Sequence, residues 1–262
     1  MKKFKDYFLK SWGLTMEMTR NEIKARYKNA FFGFLWAFLN PLIQMMVIGF
    51  IFQYIIKTSI SNYFSFLFIG LLVWNFFSYS LTKVTPSIVY SRDLIHKANF
   101  PREAIPLSII FSNFFNFLIA LFLFLIFLLI TQQFFIFNNF LSLPFLFLSL
   151  LWIISLTSGL SLLCTTLNVK YRDINFFIQA LVILWFYATP IIYSLNILPK
   201  WSLVFYALNP IVYPLEMLRF SLLGISFPSI VVFYGNITIT LILIISGFFI
   251  FKKENKTFCD WL

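Results

Sequence analysis

Side chains that commonly carry out catalysis or bind metals are scarce in this sequence. Its single histidine, His96, has no cluster of cysteines or carboxylates beside it, whereas a zinc site needs four ligands, or three and a water. Cys164 and Cys259 are too isolated to predict a disulfide or metal framework. There is neither a Gly-x-x-x-x-Gly-Lys-Ser/Thr phosphate loop nor a Gly-x-Ser-x-Gly elbow. We therefore predict no catalytic residue, no metal site and no cofactor in this chain.

The elements that must position any functional residue are long apolar segments. Of the 262 residues, 61% are apolar and 11% are charged, against about 45–50% and about 25% in soluble domains. A membrane-spanning helix needs about 20 apolar residues. Six segments satisfy this and contain no Asp, Glu, Lys, Arg or His: 34–56, 64–82, 107–130, 144–167, 174–195 and 229–251. The sequence thus predicts an all-α integral membrane protein, with a six-helix domain at 34–251, a cytoplasmic segment at 1–33 and a cytoplasmic tail at 252–262.

The distribution of positive charge predicts the orientation of these spans. The net charge is +11. If both termini are cytoplasmic, 17 of the 20 Lys and Arg residues lie on the cytoplasmic side, and only Lys57, Lys200 and Arg219 lie in the outer loops. Such an excess follows the positive-inside rule. The basic balance is therefore explained by topology and not by nucleic-acid binding.

The segment before the first span has the pattern of a helix lying in the membrane interface. Its apolar residues share one broad face and its lysines lie elsewhere, which is typical of interfacial helices. That face comprises Phe4, Tyr7, Phe8, Trp12, Leu14 and Met18. Because no short apolar core and cleavage site occur near the start, we expect this segment to be retained. It either only anchors the chain or also moves during gating.

Two stretches outside the spans have distinctive compositions. The cytoplasmic connection 85–106 combines both charge signs with an apolar Leu94-Ile95 pair and ends in a proline-limited segment. Exposed apolar side chains need a cover, so this stretch predicts a docking surface for a soluble partner, with a solvated connector as the alternative. The segment 189–219 is too rich in proline for another span and too apolar for a free loop. Two short re-entrant helices would suit it, because broken backbone at membrane depth must be buried or line a cavity.

Several motifs occur together in one order along the chain. They are Glu22-Ile23-Lys24-Ala25-Arg26-Tyr27, Gly33-x-x-Trp36-Ala37-x-Leu39-x-Pro41, Phe100-Pro101-Arg102-Glu103, Tyr171-Arg172-Asp173-Ile174, Thr189-Pro190-Ile191-Ile192-Tyr193 and Asn209-Pro210. In this order they resemble the permeases of type-2 ABC exporters of bacterial polysaccharides. Each motif is weak alone, but the resemblance covers nearly the whole chain.

The resemblance implies an architecture and partners. It implies a homodimer in the bacterial inner membrane, two copies of a separate ATPase subunit that holds ATP and Mg, and a lipid-linked polysaccharide as cargo. It also implies a cytoplasmic coupling helix within 90–103. The residues of this stretch that would contact the ATPase are Arg92, Leu94, Ile95, His96, Lys97, Phe100, Arg102 and Glu103.

A gate on the outer side is implied as well, at 198–218 and the preceding turn. Its candidate residues are Pro190, Tyr193, Pro199, Trp201, Asn209 and Pro210. A passage for a glycan favours aromatic rings and amide or hydroxyl groups over fixed charges, since rings can stack against sugar C–H groups. Residues that meet this description are Trp36, Trp74, Tyr79, Trp185, Tyr187 and Tyr193.

These observations predict the channel-forming subunit of an exporter for lipid-linked polysaccharide, most simply O antigen, with teichoic acid or capsule polymer as related cargoes. A permease of the same fold that exports a drug or small lipid remains open, because uncharged aromatic spans suit apolar cargo too. A membrane-embedded glycosyl or acyl transferase is disfavoured, because no span contains an ionisable residue for acid–base chemistry.

Overall fold

The computed structural model describes residues 2–28, 33–58, 60–98, 100–131, 140–195, 199–226 and 229–261, and the side chains among them except those of residues 2–10, 200 and 260. Within these ranges the backbone forms helices joined by turns, without β-strands. In chain order the helices are α1 (Lys2–Tyr27), α2 (Trp36–Phe50), α3 (Tyr63–Val84), α4 (Ser87–Tyr90), α5 (Arg92–Lys97), α6 (Ala104–Ile130), α7 (Leu143–Lys170), α8 (Ile174–Ala188), α9 (Leu203–Leu208), α10 (Val212–Leu223), α11 (Ile230–Glu254) and α12 (Phe258–Trp261).

Five helical segments are long and apolar enough to cross a membrane. They are Gly33–Ile55, which contains α2, and Tyr63–Val84, Ala104–Ile130, Phe140–Lys170 and Ile230–Thr257. Each coincides with a predicted span to within a few residues, except that the last three extend further at one or both ends. The chain is therefore a multi-pass helical membrane protein, as its composition predicts.

The predicted fifth span, 174–195, differs from the expectation. Its helix α8 ends at Ala188 after 15 residues, and Thr189 adopts an extended conformation with ψ 139°. Pro190 explains this end, since proline removes a backbone donor and disfavours helical geometry in the residue before it. At about 1.5 Å per residue, α8 alone is shorter than the roughly 30 Å hydrocarbon core.

Helix α3 is the centre of the bundle. It is buried on nearly all sides and packs against α2, α6, α7, α8 and α10. Small residues allow the closest approaches: a Cβ added to Gly70 would lie 2.6 Å from Nη2 of Arg219. Helix α3 therefore holds most of the elements considered below in place, either directly or through a neighbouring helix.

Helix α1 packs along α6 on one side of this bundle. Thr15 and Thr19 are buried there, and the Trp12 ring meets Phe111 edge to face at 5.6 Å between centroids. A helix is present in the predicted segment, whereas its amphipathic face and its position in the membrane interface stay predictions. Phe4, Tyr7 and Phe8 of the predicted apolar face lie outside the described side chains.

The predicted spans contain no charged residue, but α10 brings two charged side chains into the interior of the protein. Arg219, expected in an outer loop, is fully buried, and Glu216 is 4% exposed. The cause is tertiary: α10 packs against α3 and α7 and carries both side chains into the protein. The interior of the described chain therefore contains an ion pair that the distribution of charges along the sequence does not reveal.

Helices α7 and α11 form the tightest backbone contact. A Cβ added to Gly159 would lie 2.7 Å from Cα of Ile244, and one added to Gly247 would lie 3.1 Å from Cα of Gly159. Small residues permit such close packing in membrane bundles, where dispersion replaces the hydrophobic effect as the driving force. The pair fixes α11, the last long helix, to the rest of the bundle.

We predict that Gly247→Leu destabilises the folded protein because the added side chain has no room beside Gly159. Overpacking of this kind costs about 1–3 kcal/mol or more. The matched control is Gly13→Ala, whose added Cβ meets no atom within 4 Å and which gains up to about 1 kcal/mol in helix propensity. Thermal unfolding of the detergent-solubilised protein, followed by size-exclusion chromatography, measures the difference. Equal midpoints for Gly247→Leu and the unmodified protein would contradict the close contact.

Candidate functional site

The stretch 85–103, predicted to be cytoplasmic, forms two short helices, α4 and α5, with an exposed and an anchored side. Tyr90 is 79% exposed and Leu94 is 45% exposed, and both therefore present apolar area to solvent. Arg92, His96 and Lys97 are exposed as well. The expected surface for a partner is therefore present, although its contact with an ATPase stays a prediction. Asn99, within the predicted coupling stretch, lies outside the described residues.

The expectation that both members of the Leu94-Ile95 pair are exposed is wrong for Ile95. Its side chain is 3% exposed and lies in a small core with Ile88, Ile105 and Phe258. Phe100 packs against the same core and is half-buried. Since α5 is a single turn and a half long, one of its two neighbouring apolar residues points inward. The protein itself covers Ile95, and Leu94 remains for a partner.

Arg102 and Glu103 hold this stretch to two other parts of the chain. The Arg102 guanidinium donates hydrogen bonds to the carbonyl oxygen of Asn255 and to Sγ of Cys259. A carboxylate oxygen of Glu103 accepts a hydrogen bond from Ser11 of α1 at 3.3 Å. Both residues were expected to contact the ATPase, but in the structure they join the loop to the C-terminal tail and to α1. Movement of α5 would therefore be transmitted to both termini.

The predicted gate segment contains two short helices, α9 and α10, and Asn209 organises the turn between them and α8. Its Oδ1 accepts a hydrogen bond from Trp185 at 3.0 Å, and its Nδ2 donates to Oγ1 of Thr189 at 3.0 Å. Pro210, which follows, is buried. A predicted gate residue and a predicted channel residue are thus in direct contact.

Tyrosines join the same region to the end of α8. The Tyr193 hydroxyl donates to the carbonyl oxygen of Tyr187 at 3.0 Å and lies 3.1 Å from the hydroxyl of Tyr206. Pro199 and Trp201, also predicted as gate residues, lie at the periphery, and Trp201 is 69% exposed. Leu198, the first residue of the predicted gate, lies outside the described residues.

Arg219 fastens this segment to the centre of the bundle. Its guanidinium donates to the carbonyl oxygens of Pro190 at 2.6 Å and Ile191 at 2.9 Å, and forms an ion pair with Glu216 at 2.6 Å. The group also stacks over the ring of Phe66 on α3, 3.4 Å from its centroid. A buried cation is tolerated when it is paired and hydrogen-bonded. The carbonyl groups of Pro190 and Ile191, just beyond the end of α8, therefore obtain hydrogen-bond donors within the protein.

The aromatic channel candidates separate into buried and accessible residues. Trp74 is 6% exposed and packs against Phe77 and Phe186, and Trp185 is half-buried. Tyr187 is 67% exposed on the outer face of α8, beside Tyr193. In this conformation Trp74 serves packing, so a cargo would not reach it.

Trp36 and Tyr79 lie together at a cavity of about 320 Å³ between α1, α2, α3 and α6. The described residues that line this cavity include four carboxamides and a guanidinium: Asn40, Asn75, Asn113, Asn116 and Arg26. The Tyr27 hydroxyl donates to Oδ1 of Asn116 at its wall. Burial raises the pKa of Tyr27 above its ordinary value, with the charge of Arg26 opposing the shift. The phenol therefore stays a neutral donor near pH 7.

Comparison with known proteins places the chain. The family model described as ABC-2 type transporter matches residues 14–223. The chain belongs to the ABC-2 type transporter family. The matched part of this ABC-2 chain extends from α1 to the end of α10, and so includes the α5 stretch, the cavity and the Arg219 site.

Relatives with assigned names agree with this membership. The chain is 35% identical over 202 residues to the O-antigen export system permease protein RfbA of Myxococcus xanthus, covering 76% of each chain. It is 31% identical over 256 residues, 95% of each chain, to a protein of the same name from Klebsiella pneumoniae. A second Klebsiella pneumoniae RfbA is 30% identical over the same length.

Sequence reasoning missed two features of this ABC-2 protein. Arg219 was assigned to an outer loop, and Arg26 was quoted only as part of a motif. A signal for the cavity does exist in the sequence: Asn113 and Asn116 on α6, and Trp36 and Asn40 on α2, lie three or four residues apart, which places each pair on one helix face. For Arg219 the sequence offers only Glu216, three residues earlier on the same helix; its other hydrogen-bond partners, the carbonyl oxygens of Pro190 and Ile191, leave no side-chain pattern.

We predict that Arg219→Met lowers the stability of the protein by about 3–5 kcal/mol, since it leaves the Glu216 carboxylate buried without its partner. The double variant Glu216→Gln with Arg219→Met should recover part of this loss. Unfolding midpoints in detergent, together with yield of the monodisperse protein, provide the measurement. Arg92→Met is the control, because the Arg92 side chain is 63% exposed and its pair with Asp93 contributes at most about 1 kcal/mol. Equal stability of Arg219→Met and Arg92→Met would refute the role of the buried pair.

Proposed function

We propose that this protein is the membrane subunit of an ABC exporter that moves a lipid-linked polysaccharide, O antigen in the first instance, from the cytoplasm across the bacterial inner membrane. The observation that carries this proposal is the match of 95% of the chain to a permease named for O-antigen export. The aromatic and carboxamide side chains of the cavity support it, because they suit a hydroxyl-rich cargo.

The energy comes from a separate ATPase, since the sequence contains no phosphate-binding loop. We place the ATPase on the exposed side of α4 and α5, where Tyr90 and Leu94 offer apolar contact beside Arg92, His96 and Lys97. ATP and Mg bind to that subunit. Its movement reaches α1 through Glu103 and the tail through Arg102.

The topology that suits this function has six crossings and two cytoplasmic termini. Helix α8 with residues 189–195 makes the fifth crossing, and α9 and α10 enter the outer leaflet without crossing it. Burial of the broken backbone by Arg219 supports this arrangement, because irregular backbone at membrane depth has to be satisfied within the protein.

The working unit is a homodimer carrying two ATPase subunits. Helix α8 exposes an apolar face that includes Phe176, Leu184 and Tyr187, each 67–69% exposed. We place the second copy there. Closure of the ATPases pushes α5 and separates α2 of one protomer from α8 of the other. A path lined by both protomers then opens for the glycan.

Deletion of the gene tests the proposed function. We expect loss of surface polysaccharide together with accumulation of lipid-linked polymer inside the cell, and restoration of both by the gene in trans. The measurement is electrophoresis of surface glycan with analysis of polyprenyl-linked polymer in spheroplasts. Normal surface glycan in the deletion strain, with altered resistance to drugs instead, would favour an exporter of small apolar compounds and sink the proposal.

Leu94→Asp tests the coupling surface. A carboxylate at this exposed site should weaken docking without disturbing the core beneath, because the adjacent Ile95 provides the buried contact. We expect permease abundance as in the unmodified protein, with polysaccharide export reduced about tenfold or more, since an apolar contact worth 1.5 kcal/mol or more is lost. Leu94→Met, which keeps size and polarity, is the matched control and should export normally. Full export by Leu94→Asp would remove α5 from the coupling surface.

A further inference from the structure

The cavity beside Trp36 contains an unusual set of groups for the interior of an apolar helix bundle. Its guanidinium, Arg26, donates a 2.7 Å hydrogen bond to Oδ1 of Asn113, and Nδ2 of Asn113 donates in turn to Ser80 at 3.1 Å. This bond uses one terminal nitrogen of a planar group that has five N–H donors. Arg26 is thus held in position by α6 while part of its donor edge belongs to the cavity lining.

The other walls add carboxamides and rings. Asn75 of α3 donates to Gln44 of α2 at 3.1 Å, Asn116 of α6 is fixed by Tyr27, and Asn40 of α2 is exposed. A carboxamide both donates and accepts hydrogen bonds, which suits sugar hydroxyl and acetamido groups. Among the described residues that line the cavity, none is Asp or Glu. One cation, several amides and two accessible aromatic rings thus favour a ligand that joins a sugar to an anion.

The anion that matches a guanidinium best in this setting is a phosphate group. The planar donor edge of arginine binds phosphate oxygens in pairs, and the low dielectric of the surroundings strengthens such a contact. A free sugar that bears a carboxylate would also be attracted to the guanidinium, but it has no apolar part that favours entry into an apolar bundle. A lipid has such a part, and α2 offers an apolar surface for it.

Helix α2 extends the cavity into an apolar stripe. Trp36 and Asn40 line the cavity, and residues at helical spacing beyond them lie on the same face of the helix. These residues are Ile43, Val47 and Phe50, which are 47%, 59% and 58% exposed. Tyr54, which is 62% exposed, follows in the π-helical turn Ile51–Ile55. A ligand with its headgroup in the cavity can therefore lay an apolar chain along this stripe.

We propose that the cavity between α1, α2, α3 and α6 binds the sugar-phosphate headgroup of the lipid-linked cargo, with Arg26 on the phosphate, the carboxamides on the first sugar and the polyprenyl chain along α2. The proposal rests on the proposed function and assigns its recognition site. The site is complete within one protomer, and the apolar stripe becomes available when α2 separates from α8 of the other copy.

The test measures equilibrium binding of radiolabelled polyprenyl diphosphate-linked N-acetylglucosamine to the purified permease–ATPase complex in lipid nanodiscs. Arg26→Gln should weaken binding about tenfold or more, as expected for loss of a charge-assisted contact. Arg20→Gln is its matched control on the same helix, since Arg20 is exposed and does not line the cavity; it should change binding less than about twofold.

A second pair of variants tests whether the ligand is negatively charged, at a residue whose side chain is exposed. Asn40→Asp places a negative charge in the cavity and should weaken binding about tenfold, whereas Asn40→Gln should stay within about threefold. Asn40 is exposed, so both variants are expected to fold. Binding of the probe at the unmodified affinity by Arg26→Gln and Asn40→Asp would overturn the site.

A competition experiment distinguishes a lipid-linked sugar phosphate from a free sugar phosphate, which carries the same type of headgroup. N-acetylglucosamine 1-phosphate should displace the lipid-linked probe only at concentrations about a hundredfold or more higher, because it lacks the apolar chain. Displacement at equal concentration would overturn the placement of the lipid chain on α2. The export assay in the deletion strain distinguishes failure of the binding site from failure of the proposed function. If Arg26→Gln and Asn40→Asp restore export and bind the probe normally, the binding site alone is rejected. If export is normal without the gene, the proposed function is rejected.

Discussion

Helix α8 ends at Ala188, and the carbonyl groups just beyond its end have no following helical turn whose N–H groups could donate hydrogen bonds to them. In hydrocarbon such groups cost several kcal/mol each when they stay unpaired. Arg219 supplies the donors, holding the carbonyl oxygens of Pro190 and Ile191 at 2.6 and 2.9 Å. Its charge is in turn neutralised by Glu216 and covered by Phe66. The segment α9–α10 depends on this arrangement, because without Arg219 the carbonyl groups that follow α8 would need water as their hydrogen-bond donor.

The same constraint explains why α3 occupies the centre. The Tyr63 hydroxyl at its start donates to the carbonyl oxygen of Ile192 at 2.9 Å, and Gly70 leaves the space that the Arg219 side chain fills. Helix α3 therefore has to be buried on the side of α8 and α10, while α2 and α6 enclose its other faces. At its C-terminal end α3 leads into α4 and α5. One helix thus joins the broken segment to the surface on which we place the ATPase.

Helix α1 connects the cavity to the surface on which we place the ATPase. That helix contributes Arg26 and Tyr27 to the cavity near its C-terminal end and Ser11 to the contact with Glu103 near its beginning. A displacement of α5 would reach the cavity wall through a single rigid helix. Proximity of this kind offers a physical route for coupling between ATP hydrolysis and the binding of cargo, since both ends of α1 pack along α6.

Sequence alone was sufficient to determine the membrane class, five spans to within a few residues, the stretch between spans that contains α5, and the family. These follow from local properties, namely apolar length, charge and motif order. Tertiary structure decided the rest. In the folded protein Ile95, Trp74 and Arg219 are buried, and α8 ends at Ala188. Periodicity could not predict those outcomes, because each depends on which backbone carbonyls and helix faces meet in space, and Arg219 in particular is stabilised by partners 28 and 29 residues away.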